Sequence, residues 1–248
     1  MLFSLTTPPN KSFDEDIKFF KSKIEYGVNF SFSKYADGEW AVMKNSTINN
    51  SEFWFDKEDE SDQLKREMLW NSFRFQHPQY YVGISCPCCQ GLDTFNEMLS
   101  ESGQPQNMVT WANLWVNNNY KYYQASIVPL YSKRKTVLYC HKDGDLNSLP
   151  FTPEKVFPIS KNAWANEWHL IEESKRYIDD NNIKDHIFLF CCGPFGNILC
   201  HELTNFNSSN TYLDIGSTLN PYLKSEGFKR DYYVGNTFFA NQTCVWGA

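Results

Sequence analysis

Apolar residues recur along this chain in two rhythms, one with the three-to-four-residue spacing of a helix face and one in short, nearly unbroken runs. "DEDIKFFKSKIEYG" carries the helical spacing and ends at Gly27, and the β-like run "VNFSFS" follows at once. "SDQLKREMLWNSFRF" is helical again and leads into "YYVGIS". Further on come the strands "TVLYC" (136–140) and "EKVFPIS" (154–160), then the helix "NEWHLIEESKRYIDDNN" and the strand "HIFLFCC". The helix "GNILCHELTNF" and the strand "TYLDIG" complete the series. Strand–helix–strand order with apolar strands predicts an α/β, Rossmann-like fold: a mainly parallel sheet with helices on both faces.

No linker, repeat or low-complexity tract interrupts the series, so a single domain over residues 1–248 is expected. One stretch, about 100–132, resists assignment because it mixes aromatic residues with Asn and Gln. It reads either as an acceptor-side insertion facing carbohydrate or as two amphipathic helices packed on the sheet.

Charge narrows the partners. The formal net charge is −6, and the Lys and Arg residues are scattered among acidic ones, leaving neither a phosphate-backbone footprint nor a polybasic patch. Nucleic acid is not an expected partner. The start, "MLFSLTTPPNKSF", has no basic segment ahead of an apolar one, and no later run reaches membrane-spanning length, so a soluble cytoplasmic protein is expected. Eight cysteines in a chain long enough to fold without staples are expected to be reduced. Cys86 and Cys89 in "CPCC" have the gap of a metal knuckle, yet no second knuckle follows and Cys191 and Cys192 read as a strand end, so no zinc site is expected.

In parallel α/β sheets ligands collect beyond the carboxyl ends of the strands. Four segments follow strands here: "KYADGEW" (34–40), "SKNAW" (160–164), "GPFG" (193–196) and "DIGS" (214–217). "FLFCCGPFGNILCHEL" reads as strand, glycine turn and helix, which suits either an anion at a helix N-terminus or simply a tight turn. Asp37 and Glu39 carry two readings as well. Asp37 could N-cap a helix through "GEWAVMK" with Glu39 in its first turn, or the pair could hold a hard dication such as Mg²⁺ or Mn²⁺ whose remaining ligands are phosphate and water.

These segments resemble a family. "FSFSKYADGEW" is similar to the "RYGDGE" segment of the GT-D-type glycosyltransferases, and "SKNAW" to their "SKNAF". "FCCGPFGNILCHEL" resembles their strand–Gly-Pro–helix segment, and "YLDIGSTLNPYL" their "IDIG" segment. Order and approximate spacing agree from about residue 28 to 224, whereas 45–135 matches only vaguely and the last two dozen residues do not match. The resemblance implies a D-x-E motif in which Asp37 and Glu39 bind the metal that holds a nucleotide-sugar diphosphate. It further implies donor contacts from Lys34, Tyr35, Lys161, Asn162, Trp164, Gly193, Pro194, Gly196 and Gly216. Two positions depart from the family: Lys34 stands where it has arginine, exchanging a planar fork for a point charge, and Ala36 stands for a glycine, which would be strained at positive φ.

The expected activity is a metal-dependent sugar transfer from a nucleoside diphosphate sugar, with UDP as the expected nucleotide, to a glycan or glycoconjugate. Asp214 is a candidate base if configuration inverts, and it reads equally as capping the turn through Ile215–Thr218 after its strand. Two alternatives remain. A Rossmann methyltransferase would use "GPFG" for S-adenosylmethionine and Asp214 for its ribose, leaving Asp37 and Glu39 unexplained. A non-catalytic nucleotide- or carbohydrate-binding module would keep the fold without turnover.

Overall fold

The structure is a computed structural model and describes residues 6–7, 11–50, 53–224 and 233. Among the described residues a seven-stranded sheet forms the centre. Its strands are β1 (Ser31–Lys34), β2 (Tyr80–Ile84), β3 (Val109–Trp111), β4 (Thr136–His141), β5 (Lys155–Ile159), β6 (Ile187–Phe190) and β7 (Thr211–Asp214). Every neighbouring pair is parallel, in the spatial order β3-β2-β1-β7-β6-β4-β5.

Period-two alternation sends successive side chains to opposite faces. In β6, Phe188 and Phe190 enter one core while Ile187 and Leu189 enter the other. In β4, Val137 and Tyr139 part in the same way from Leu138 and Cys140. Because both faces are covered, β6 is apolar throughout and β4 is apolar between Thr136 and His141, and these continuous runs are legible in the sequence.

The first face is covered by α2 (Asp37–Met43), α3 (Glu60–Arg74), α4 (Leu92–Ser102), α5 (His169–Asp180) and α6 (Pro194–Phe206). The second is covered by α1 (Phe13–Glu25) and by the chain that follows β3. Residues 100–132 thus contain a strand, β3, and then a run of short helical turns where two regular helices were one expectation. Their aromatic side chains Trp111, Trp115, Tyr120, Tyr123 and Tyr131 are buried against the sheet. An Asn-rich run with helical spacing on only part of its length cannot sustain long helices, so the segment bends to fit its rings to the strands beneath.

The edge strand β5 explains its proline. Pro158 is exposed and pairs on one side only, with Cys140 of β4, so its missing N–H removes no second ladder bond. No helix among the described residues is long and apolar enough to cross a membrane.

Candidate functional site

All seven strands point their carboxyl ends at one cleft of about 660 Å³, within the size range of small-molecule sites. Lys34 lies at the end of β1, Ser85 after β2, Asn113 and Asn117 after β3, and His141 at the end of β4. Ser160–Ala163, Cys191–Pro194 and Ile215–Ser217 follow β5, β6 and β7. The adjacent strands β1 and β7 lie where the order turns, so the cleft opens at the sheet's switch point.

Asp37 and Glu39 both line it. The N-cap of α2 is Ala36, not Asp37, which corrects the capping reading: Asp37 occupies the first helical position and is exposed. Glu39 is buried and turns back to close the helix start, accepting from the Ala36 N–H (Oε2, 2.9 Å), while its Oε1 lies 3.7 Å from Lys34 Nζ. Ala36 has φ −99°, so replacing the family's glycine strains nothing here.

Lys34 connects this pair to the end of β7. Its side chain crosses Gly216, where a Cβ would come within 3.2 Å of Lys34 Cε, and Gly216 also adopts φ +53°. Both conditions favour glycine. Asp214 lies beneath, 1% exposed, accepting from the Gly216 N–H (3.1 Å) through Oδ1 while its Oδ2 has no hydrogen-bond partner. Burial pushes its carboxyl up to about 7; the Lys34 charge pulls it down, and Glu39 pushes it up again.

That elevation has a measurable consequence. The folded chain holds the Asp214 proton up to about pH 7 while the unfolded chain releases it near 3.8, so the folded state binds the extra proton between. Stability on this account falls as pH rises through that window and is fully lost above it. Asp214→Asn, an isostere of the protonated acid, should therefore gain on the unmodified protein between pH 5 and pH 8 in chelator. Two pH units at about 1.4 kcal/mol each give at most about 3 kcal/mol. Denaturant unfolding at the two pH values checks this, and a pH-independent difference contradicts it.

The remaining wall is the start of α6. Gly193 is its N-cap with φ +57°, and Pro194 stands at the first helical position, which needs no N–H. Both line the cleft, so the positive end of a 13-residue helix faces it. Asn197 fastens this helix to β1, donating through Nδ2 to Ser33 Oγ (3.0 Å) and to the Lys34 carbonyl (2.7 Å). Opposite, Lys161 is exposed at the rim. Asn162 is buried beside it, its Nδ2 donating to the Trp54 carbonyl (3.2 Å) and its Oδ1 left without a partner.

The structure thus brings Lys34, Asp37, Glu39, Lys161, Asn162, Gly193, Pro194 and Gly216 to one cleft. Tyr35, Trp164, Gly196 and Asp214 lie behind its wall. The Tyr35 hydroxyl meets Ser72 and Tyr80 inside the core, Trp164 Nε1 donates to Asp62 (2.9 Å), and Gly196 packs on Phe190 and Asp214. Asn113, Asn117 and Asn197 escape sequence reading. His141 opens "HKDGD" (141–145), which follows the strand "TVLYC" and reads in sequence either as a contributor to the site or, preferably, as a solvated charged turn; His141 lines the cleft.

For a hard dication the chemistry of Asp37 and Glu39 is suitable, since both offer carboxylate oxygens to the one cleft and its remaining ligands could be phosphate and water. The cysteines nearby offer no competition at the α6 end. Cys191 and Cys192 line the cleft, but burial pushes both thiols well above their ordinary range.

No family model and no curated protein matches the chain. Among solved structures, one described as showing that the highly conserved domain of unknown function 1792 has a distinct glycosyltransferase fold superposes with TM-score 0.60. The two chains are 15% identical, and the match covers 85% of this chain and 78% of that one. A selenomethionine-substituted structure of domain of unknown function 1792 aligns over the same shares at TM-score 0.58, also at 15% identity.

The chain has this glycosyltransferase fold. At such identity the likeness is one of backbone, carried by the parallel sheet and its covering helices. In the glycosyltransferase fold of this chain, the D-x-E pair begins α2 directly after β1, and the Gly-Pro turn begins α6 directly after β6.

Proposed function

We propose that the protein is a metal-dependent glycosyltransferase that moves a sugar from a nucleoside diphosphate sugar, with UDP as the nucleotide, to a glycan or glycoconjugate acceptor. The observation that carries this reading is the convergence of Asp37, Glu39 and Lys34 with the N-terminus of α6 in one cleft. A leaving diphosphate needs its negative charge met where it develops. Asp37 and Glu39 would hold Mn²⁺ or Mg²⁺, which neutralises diphosphate charge and templates its oxygens.

The chain's own groups supply the rest. Lys34 and Lys161 place ammonium charges at the cleft, and the positive end of α6 adds a fixed dipole that needs no reorganisation. Glu39 and Asp214 orient Lys34 from two sides, and the open space over Gly216 lets its stem pass. The unpartnered Asn162 Oδ1 would accept a hydroxyl of the bound donor. Asp214, 1% exposed, is suited to setting the position of Lys34 rather than to meeting an acceptor hydroxyl.

Titration calorimetry with UDP tests the reading. Affinity should fall at least about tenfold from Mn²⁺ to excess chelator, about 1.4 kcal/mol. Equal affinity in both would overturn the metal assignment.

A further inference from the structure

Beside the same cleft, the chain after β2 gathers a cluster that the sugar-transfer reading does not use. Cys86, Cys88 and Cys89 bring their sulfur atoms within 4.8 Å of one another, and Cys86 Sγ lies 3.0 Å from Cys88 Sγ. We propose that these three cysteines form a thiolate site for zinc, distinct from the carboxylate pair.

Sequence spacing points to Cys86 and Cys89 alone; the structure adds Cys88. Cys86 is the N-cap of the single-turn helix Pro87–Gln90, and its carbonyl accepts from the N–H groups of Cys89 (3.1 Å) and Gln90 (3.2 Å). That turn brings the three sulfurs to one point. Thiolates bound to zinc at about 2.3 Å in a tetrahedral array lie roughly 3.8 Å apart. The observed range, from 3.0 Å to under 4.8 Å, needs adjustments of less than about 1 Å to match it.

A second observation is the pair of amide donors that face these sulfurs. Asn113 Nδ2 donates to Cys89 Sγ (3.2 Å) and Cys86 Sγ (3.7 Å), and Asn117 Nδ2 reaches Cys89 Sγ at 4.0 Å. Carboxamide donors aimed at sulfur favour the thiolate, the form that binds metal, and orient it as outer-shell partners do. Both asparagines follow β3, so the ion would tie the end of β2 to that wall of the cleft. Cys89, Asn113 and Asn117 all line the cleft, which leaves the fourth ligand position to water or to a bound molecule.

Loading is an exchange of ions without oxidation: Zn²⁺ displaces three thiol protons, leaving an anionic tris-thiolate centre, so affinity rises with pH. Three soft ligands select zinc over the Mn²⁺ or Mg²⁺ proposed for the carboxylates. The proposal is independent of the transferase reading and can fail without it.

The test uses the full chain, reduced and stripped with chelator, then titrated with Co²⁺ and competed with Zn²⁺. One equivalent of Co²⁺ should produce a near-ultraviolet thiolate charge-transfer band, which Zn²⁺ abolishes. Cys88→Ser/Cys89→Ser, which alters the exposed and half-exposed members and spares the buried Cys86, should lose the band and bind zinc at least about 100-fold more weakly. Asn113→Ala should weaken binding about tenfold with the band retained. Asp37→Asn should leave the band unchanged. Absence of the band at stoichiometric Co²⁺, its persistence in the double cysteine variant, or a fully reduced protein that takes up no zinc would each overturn the site.

Discussion

Asp37→Asn is expected to lower the sugar-transfer rate by about a hundredfold or more, roughly 3 kcal/mol of transition-state stabilisation, with the melting temperature almost unchanged. The contrast follows from where Asp37 lies. It caps nothing, because Ala36 is the N-cap, and its carboxylate is exposed at the first helical position of α2. Its structural contribution is then the helix-dipole effect, a few tenths of a kcal/mol. As a ligand to a hard dication, the same carboxylate supplies a full negative charge that an amide cannot replace.

Glu39→Gln should lose activity to a similar degree for a related reason. The glutamine oxygen can still accept from the Ala36 N–H and close the helix start, so folding is retained, but the charge facing Lys34, which the proposed metal would also need, is gone. Melting curves beside donor-hydrolysis and transfer rates decide the matter. Unchanged rates in both variants would reduce "KYADGEW" to an ordinary helix start.

Trp164→Ala should have the largest effect on stability, about 3–5 kcal/mol, which lowers the melting temperature by roughly 6–20 °C in a chain of this size. Trp164 is fully buried, packed edge-on against Phe53 and Trp168 at 5.8 and 5.9 Å, and its indole N–H satisfies Asp62. Truncation would open a cavity and remove a hydrogen bond from the Asp62 carboxylate, which also accepts from the Asp56 N–H (2.9 Å), while the Asp62 N–H donates to the Asp59 carboxylate that caps α3. Donor affinity measured well below the transition should persist. A variant that kept its melting temperature and lost donor binding would instead make Trp164 a donor contact, as the family resemblance implies.

The sheet was readable because burial on both faces writes itself locally. "IFLF" and "YYVGI" are apolar at every position or nearly so, and turns such as Gly193–Pro194 mark where helices begin. β3 was not readable: three residues, Val109–Trp111, set among Asn and aromatic residues, carry too short a pattern to separate strand from turn. The rule that ligands meet the carboxyl ends of strands located most of the cleft, and the D-x-E and Gly-Pro segments fell on it.

By itself, the order of apolar runs and polar turns determined the α/β class, the parallel sheet and the positions just after the strands where chemistry could lie. Side-chain direction was decided by tertiary structure. Tyr35 and Trp164 sit next to cleft residues in sequence, yet their polar tips found partners in Ser72, Tyr80 and Asp62 across the core, and each turned inward. His141 and Asn113 reached the cleft because strands distant in sequence became neighbours in the sheet, whereas Cys88 joined Cys86 and Cys89 through the single turn at Pro87–Gln90. Periodicity records which positions are buried, because burial depends on a residue's own hydrophobicity; which group a polar atom meets depends on its partners, and those are chosen only when the sheet assembles.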